Sequence, residues 1–240
     1  MSVTTRIQEL NNRLATNLVS KGVSAEGTET TTELINKVND IESGGTSVIN
    51  PEWTDWRYFS YYDNRNDLVA KLKYSDTANG KNFSNMFYAC SSLTTIPQLD
   101  TSNGTNFGAM FNGCRALTSI PQLDTSNGTD FNRMFLSCTK LHTIPLLNMS
   151  NVSGTSWSNM FYNCTALENV TFEGTIPVRG NMSVFSYSNK LTVKSLMSFI
   201  NALTNMSDTA TYTITIGSTN LAKLTEEQIQ IATDKRITLQ

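Results

Sequence analysis

Four successive segments between residues 80 and 174 carry nearly the same sequence, and this repetition constrains the fold more than any other feature. The first copy, GKNFSNMFYACSSLTTIPQLDTSN, spans residues 80–103, and the second, residues 104–127, matches it at 16 of 24 positions. The third, residues 128–151, matches the second at 12 of 24, and a fourth begins at Gly154 after a two-residue insertion. A fixed period of this length predicts stacked structural units, because each unit is too small to bury its own apolar face.

The repeated positions are mostly apolar, and stacking would turn each of them into a buried ladder. We predict three main ladders, formed by Phe87, Phe111, Phe135 and Phe161, by Cys90, Cys114, Cys138 and Cys164, and by Leu93, Leu117, Leu141 and Leu167.

Within one copy, the spacing of apolar residues changes character halfway. Phe83, Met86, Phe87 and Cys90 recur at i, i+3, i+4 and i+7, which predicts one face of about two helical turns. An extended segment follows and ends near a proline, and the run Asp-Thr-Ser-Asn-Gly predicts a turn. Each unit is therefore predicted to be a short helix, a short strand and a turn.

The repeat explains the positions of the cysteines and of the acidic residues without a metal site or a catalytic site. The cysteines lie 24, 24 and 26 residues apart, which is the repeat period and not the close pairing of a zinc site. We predict four buried thiols and no metal. Asp100 and Asp124 open the predicted turns, and His142 is the single histidine. We predict no catalytic residues and no cofactor, and a depolymerase that uses such carboxylates is the enzyme alternative.

Composition bounds the partners of the chain. The net charge is −2 and charged residues make up 16% of the sequence, so we expect no nucleic-acid partner. No apolar run reaches the roughly 18 residues that a membrane-spanning helix needs, and the polar N-terminus lacks the apolar core of a signal peptide. We therefore expect that the chain does not insert into a membrane. We also expect it to be made in a bacterial cytoplasm and not to be exported.

The two ends of the chain differ from the repeats. We divide it into an N-terminal helical segment with a linker (residues 1–46), an aromatic-rich cap with a degenerate first copy (47–79), the repeat array (80–190) and a C-terminal α+β cap (191–240). The aromatic stretch of residues 53–62 has a second interpretation as a platform for sugar rings. Near the C-terminus, Thr225 and Gln228 predict a capping box.

The N-terminal segment is the predicted oligomerisation element. The 4-3-4 spacing of Val3, Ile7, Leu10 and Leu14 is typical of a helix that pairs with copies of itself. We expect a homo-oligomer, with a trimer favoured. The alternative is a helical hairpin that packs on the array.

Two stretches resemble known families. The run TSN-x-x-x-F-x-x-MF-x-x-C-x-x-L-x-x-I resembles the BspA-like leucine-rich repeats of bacterial surface proteins, which implies a right-handed solenoid used in adhesion or recognition. The N-terminal wording KGV-x-x-x-G-T-x-T-x-x-ELINKVNDI resembles tail, baseplate and fibre proteins of phages of Gram-positive bacteria. That second resemblance implies an N-terminus that docks on other virion proteins. The expected fold is an α/β leucine-rich-repeat solenoid with helical N-terminal and α+β C-terminal ends.

A solenoid binds through residues that vary between copies on one shared face. The expected function is that of a phage virion protein, located in the virion, that displays this face to host-cell carbohydrate or protein. A BspA-like bacterial adhesin and a purely structural virion component are the alternatives. The candidate receptor-binding residues are Thr95, Gln98, Ser119, Gln122, His142, Thr143, Glu168 and Asn169.

Overall fold

The computed structural model describes residues 54–56, 69, 72, 77–205 and 210–240, all within one compact unit, Trp53–Gln240. The predicted N-terminal segment, with Val3, Ile7, Leu10 and Leu14, lies outside the described residues, and its helical and oligomeric character remains a prediction.

The repeats lie on one another as parallel rungs. Isolated parallel bridges join Asp55 to Asn82, Asn82 to Asn106, and Asn106 to Asp130. At each step a backbone amide donates to a carbonyl of the following copy, as from Phe83 N to Asn106 O at 2.8 Å and from Phe107 N to Asp130 O at 2.8 Å. Equivalent residues of neighbouring copies therefore lie side by side.

The short helix predicted in each copy is wrong, because residues 83–90 form consecutive tight turns. Met86 N and Cys90 N donate to carbonyls three residues back, whereas Phe87 N donates to Met110 O of the next copy at 2.9 Å. Asn85 and Ala89 have positive φ angles of 56° and 58°, which interrupts a right-handed helix. A helix satisfies its own backbone, whereas this backbone shares every second amide with the neighbouring rung. Tight turns return the chain to the same face every three to four residues, so the apolar spacing fits both structures.

The extended half of each copy forms a parallel face. Strands β1 (Thr143–Asn148) and β2 (Asn169–Glu173) pair in parallel, with a register shift between Ile144 and Leu146. Earlier copies are joined on this face by a bridge between Ser119 and Thr143. The prediction of an extended segment is thus realised as regular strand only in the last copies.

The C-terminal region continues the rungs and adds three helices. Strand β3 (Ile176–Val178) pairs with β5 (Leu203–Asn205), and β4 (Met182–Ser183), β6 (Tyr212–Thr215) and β7 (Ile237–Leu239) form a parallel sheet in the order β4-β6-β7. The helices are α1 (Val193–Ala202), α2 (Ser218–Leu221) and α3 (Glu226–Asp234). The predicted capping box at the start of α3 is confirmed, with Thr225 as its N-cap and Gln228 as its partner.

Helix α1 occupies the place beside β2 where another strand would pair. Ser195 Oγ accepts from Val170 N at 3.1 Å and donates to Glu168 O at 3.1 Å, and Ser198 Oγ accepts from Phe172 N at 2.9 Å. Serine hydroxyls thus satisfy backbone groups that an open sheet edge would expose.

The core is a set of side-chain columns that run across the rungs. The rings of Phe87, Phe111, Phe135, Phe161 and Phe185 stack in sequence, with centroids 5.2–5.7 Å apart. The cysteine and leucine positions of the same copies are buried beside them. A spine of this kind gives each rung contacts mainly with its two neighbours.

A second aromatic column explains a repeated glycine. Phe83, Phe107 and Phe131 stack in the same manner. A Cβ atom on Gly80 or Gly104, or on the equivalent Gly128, would overlap the phenylalanine ring three residues later.

Candidate functional site

All eight candidate receptor-binding residues have exposed side chains and lie along the strand half of the rungs. Two columns cross the parallel face: the first contains Thr94, Thr118, His142 and Glu168, and the second contains Thr95, Ser119, Thr143 and Asn169. The first column is bound rung to rung by its backbone, as from Thr118 N to Thr94 O at 3.1 Å and from Glu168 N to His142 O at 2.9 Å. The spacing of these side chains is therefore set mainly by the backbone, and Thr118 Oγ1 adds a bond to Thr94 O at 3.3 Å.

The two candidate glutamines have a structural role that the sequence does not reveal. Gln98 Nε2 donates to Gln122 O at 2.6 Å, and Gln122 Nε2 donates to Leu146 O at 2.7 Å, each across one rung. Each amide nitrogen also donates to the carbonyl of the next residue in its own rung. Their amide N–H groups hold neighbouring rungs together, which leaves the amide oxygens to accept hydrogen bonds from a ligand.

A groove of about 440 Å³ opens beside these glutamines. It takes in Gln98 and Gln122 but not the other six candidates. Its remaining lining residues are Leu99, Thr101, Leu123, Asp124, Thr125, Ser126, Leu146, Asn148 and Glu173. The structure therefore divides the predicted site into an exposed flat face and a groove at one side of it.

Leu146 is one of the groove residues that sequence reasoning missed. It occupies the position 24 residues after Gln122, and 39% of its surface is exposed. The repeat itself carries this signal, since the third copy has an apolar residue where the first two copies have an exposed glutamine. Asn148 Nδ2 contacts Glu173 Oε2 nearby at 3.4 Å, so an apolar patch lies next to amide and carboxylate groups.

The aspartates of the turns are held by their own loops. Asp100 Oδ1 accepts from Ser102 N at 3.1 Å and from Ser102 Oγ at 2.7 Å, and Asp124 Oδ1 makes the same pair of contacts with Ser126. These contacts stabilise the turn that each aspartate opens. The turn thus accounts for one oxygen of each carboxylate.

The cysteine column is buried and donates to the backbone. The Sγ atoms of Cys114, Cys138 and Cys164 each donate to the phenylalanine carbonyl one rung earlier, at 3.0, 3.1 and 2.9 Å. In the following rung Ser188 takes the same position, and its Oγ donates to Phe161 O at 2.5 Å. Burial raises the pKa of the Cys164 thiol to about 12. A thiol in this position is an internal hydrogen-bond donor and not a nucleophile.

Two further features concern the predicted absence of metal and membrane contacts. In the described part of the chain, no three or more His, Cys, Asp or Glu side chains are grouped to hold a metal ion. The described helices include none with the length and apolar character required to cross a bilayer.

The aromatic stretch before the repeats is described only in part. Trp56 is buried, with 1% of its surface exposed, and Trp56 N donates to Asn82 O at 2.6 Å. The Trp56 side chain is therefore part of the core and is not an exposed ring. The other aromatic side chains of residues 53–62 lie outside the described residues, so the platform interpretation remains open for them.

Stacked rungs with an exposed polar face define the class of structure, and one comparison with known proteins bears on it. Residues 57–174 match a family described as Mycoplasma protein of unknown function, DUF285. This match is consistent with the resemblance to BspA-like repeats and includes all four copies between residues 80 and 174. Neither a search of curated proteins nor a search of solved structures found a match.

Proposed function

We propose that the chain is a non-enzymatic attachment protein, in which a leucine-rich-repeat solenoid displays the parallel face and its groove to a host-cell ligand. One combined observation carries this proposal. Eight exposed, mostly neutral side chains and a groove of about 440 Å³ lie on a backbone whose rungs are hydrogen-bonded to one another. Hydroxyl and amide groups of this kind suit hydrogen bonding to carbohydrate or to a protein surface.

In the favoured setting the chain is a tail, baseplate or fibre component of a phage virion. The resemblance of the N-terminal segment to such proteins supports this setting. Oligomerisation through that segment, with a trimer favoured, would link several weak sites, and linkage multiplies the strength of attachment.

A bacterial surface adhesin of the BspA-like type is the second candidate. The match of residues 57–174 to the DUF285 family favours it, because that match concerns the repeats and not the N-terminal segment. Immunogold labelling separates the two settings: label on phage particles supports the virion, and label on the surface of phage-free bacteria supports the adhesin.

The binding face is tested with variants that restore the repeat. Leu146→Gln and His142→Thr give the third copy the residues that the first two copies have at these positions, so folding is expected to be retained. We expect the double variant to bind host cells at least about tenfold more weakly, equivalent to about 1.4 kcal/mol.

Lys140→Ala is the matched control, because Lys140 is exposed in the same copy but outside the groove and the candidate columns. It should bind host cells as the unmodified chain does. Equal cell binding by the double variant and the unmodified chain would contradict the proposed site.

A further inference from the structure

Two tyrosines form an exposed corner on the turn half of the last rungs. The rings of Tyr162 and Tyr187 are nearly perpendicular, at 73°, with centroids 5.2 Å apart. Tyr187 keeps 63% of its surface exposed, compared with 39% for Leu146 and 37% for Val193. A ring that exposes this much surface must have at least one open face. The corner therefore consists of an open ring with a second ring as its wall.

Tyr187 occupies a backbone conformation that disfavours a bulky side chain. Its φ angle is 64°, and the equivalent positions in earlier copies, Ala89, Gly113, Ser137 and Asn163, also have positive φ. Those four residues are small, or in the case of asparagine tolerate this region well. A tyrosine here bears about 1–2 kcal/mol of strain, and its largely exposed ring recovers only part of that energy through its contact with Tyr162. Strain retained at an exposed aromatic residue points to a function outside folding.

The residues that follow Tyr162 and precede Tyr187 in the chain, Asn163 and Ser186, are neutral donors and acceptors. Asn163 Nδ2 donates to Ser137 Oγ at 3.3 Å, and Ser183 Oγ and Ser186 Oγ share a hydrogen bond of 2.6 Å. Desolvation is the main cause that raises the pKa of the Tyr162 phenol above its ordinary value, and the neighbouring Tyr187 raises this pKa further. That hydroxyl therefore keeps its proton and can donate a hydrogen bond at neutral pH.

We propose that the Tyr162–Tyr187 corner is a carbohydrate-binding site, in which the C–H face of a sugar ring lies on Tyr187 and its hydroxyl groups bond to the surrounding amide and hydroxyl groups. A pyranose ring has one apolar face and a polar rim, which matches an open aromatic face bordered by neutral polar side chains. This inference goes beyond the proposed function, because the corner belongs to the turn half of the rungs and shares no lining residue with the groove.

The test compares three forms of the full chain: unmodified, Tyr187→Asn and Tyr187→Phe. Asparagine already occupies this position at Asn163, so Tyr187→Asn is expected to unfold at the same temperature as the unmodified chain or higher. Isothermal titration with cellohexaose and with chitohexaose should show binding of at least one oligosaccharide. That binding should weaken at least tenfold in Tyr187→Asn and change less than threefold in Tyr187→Phe.

Two outcomes would overturn the inference: neither oligosaccharide binds the unmodified chain, or Tyr187→Asn binds as tightly as the unmodified chain. If choline chloride binds at the corner and neither sugar does, the corner is a cation site in place of a sugar site. Purified oligosaccharides report on the corner alone, so this result is independent of whether the groove variants affect attachment to cells.

Discussion

The phenylalanine spine makes a quantitative prediction about how the rungs share their stability. Phe111 and Phe135 are fully buried and stack on each other at 5.5 Å with ring planes 8° apart. Replacing either by leucine keeps most of the buried hydrocarbon, so imperfect filling costs about 1–2 kcal/mol. Each ring also stacks on two neighbours, and each stacked contact contributes about 0.5–1.5 kcal/mol. We expect each single variant to lower the free energy of unfolding by about 2–5 kcal/mol.

The double variants separate contact between rings from general loss of packing. The contact between Phe111 and Phe135 is lost in either single variant, so the Phe111→Leu/Phe135→Leu pair should show a coupling of about 0.5–1.5 kcal/mol. Phe87 and Phe135 lie two rungs apart with Phe111 between them, and the Phe87→Leu/Phe135→Leu pair should be additive within about 0.5 kcal/mol.

Urea unfolding of the full chain at 25 °C, followed by far-ultraviolet circular dichroism, measures both couplings. The comparison requires that the dependence of the free energy on urea concentration stays constant among the variants. Equal coupling in both pairs, or none in the neighbouring pair, would refute the view that each rung is stabilised mainly by its immediate neighbours.

Three further predictions concern the turns, the buried thiols and the covered sheet edge. Ala109 has a φ angle of 54°, so Ala109→Gly should stabilise the chain by up to about 1 kcal/mol. Ala116 has no positive φ, so Ala116→Gly should destabilise the chain by about 0.5–1 kcal/mol. Urea midpoints that move in the same direction in both variants would contradict the assigned turn. Because the thiol of Cys164 ionises at pKa about 12 when folded and near 9.0 ordinarily, the unfolded state loses this proton first as the pH rises. The free energy of unfolding should therefore fall above pH 9, by about 1.4 kcal/mol per pH unit for this thiol. Urea titrations at several pH values should show that this free energy falls less steeply with pH in Cys164→Ser. An equally steep fall in both proteins would rule out the buried thiol as the source of the pH dependence. Ser195→Ala should cost about 1–3 kcal/mol, since Val170 N of β2 loses its acceptor and Glu168 O, just before β2, loses one of its two donors. The exposed Lys194→Ala should change the free energy of unfolding by less than about 0.5 kcal/mol. Similar urea midpoints for the two variants would argue against edge covering by α1.

Several features of the fold were predictable because they recur with the sequence period. Positions such as Phe111, Cys114 and Leu117 come back at the same phase in every copy, and side chains of one phase meet once the copies stack. The capping box at Thr225 was also predictable, because its hydrogen bonds join residues three positions apart in the chain. Contacts that are local, or that repeat with the period, can be derived from the residues themselves.

The local backbone of each rung was not predictable in the same way. The spacing of Phe83, Met86, Phe87 and Cys90 fits a helix and a series of turns equally well. The choice depends on whether an amide such as Phe87 N finds its acceptor four residues back or in the next copy, at Met110 O. That acceptor exists only after the rungs are stacked, so no local pattern records it.

The candidate site shows the same division. Exposure of Thr95, His142 and the other candidates follows from their position between ladder residues, and the sequence alone determined which residues vary on that face. Only the tertiary structure decided that Gln122 donates its amide to the next rung, that Leu146 lines a groove, and that Tyr187 stands open against Tyr162. The physical reason is that a period specifies which residues become neighbours, whereas the direction of a polar group or a ring depends on the backbone angles and acceptors that stacking creates.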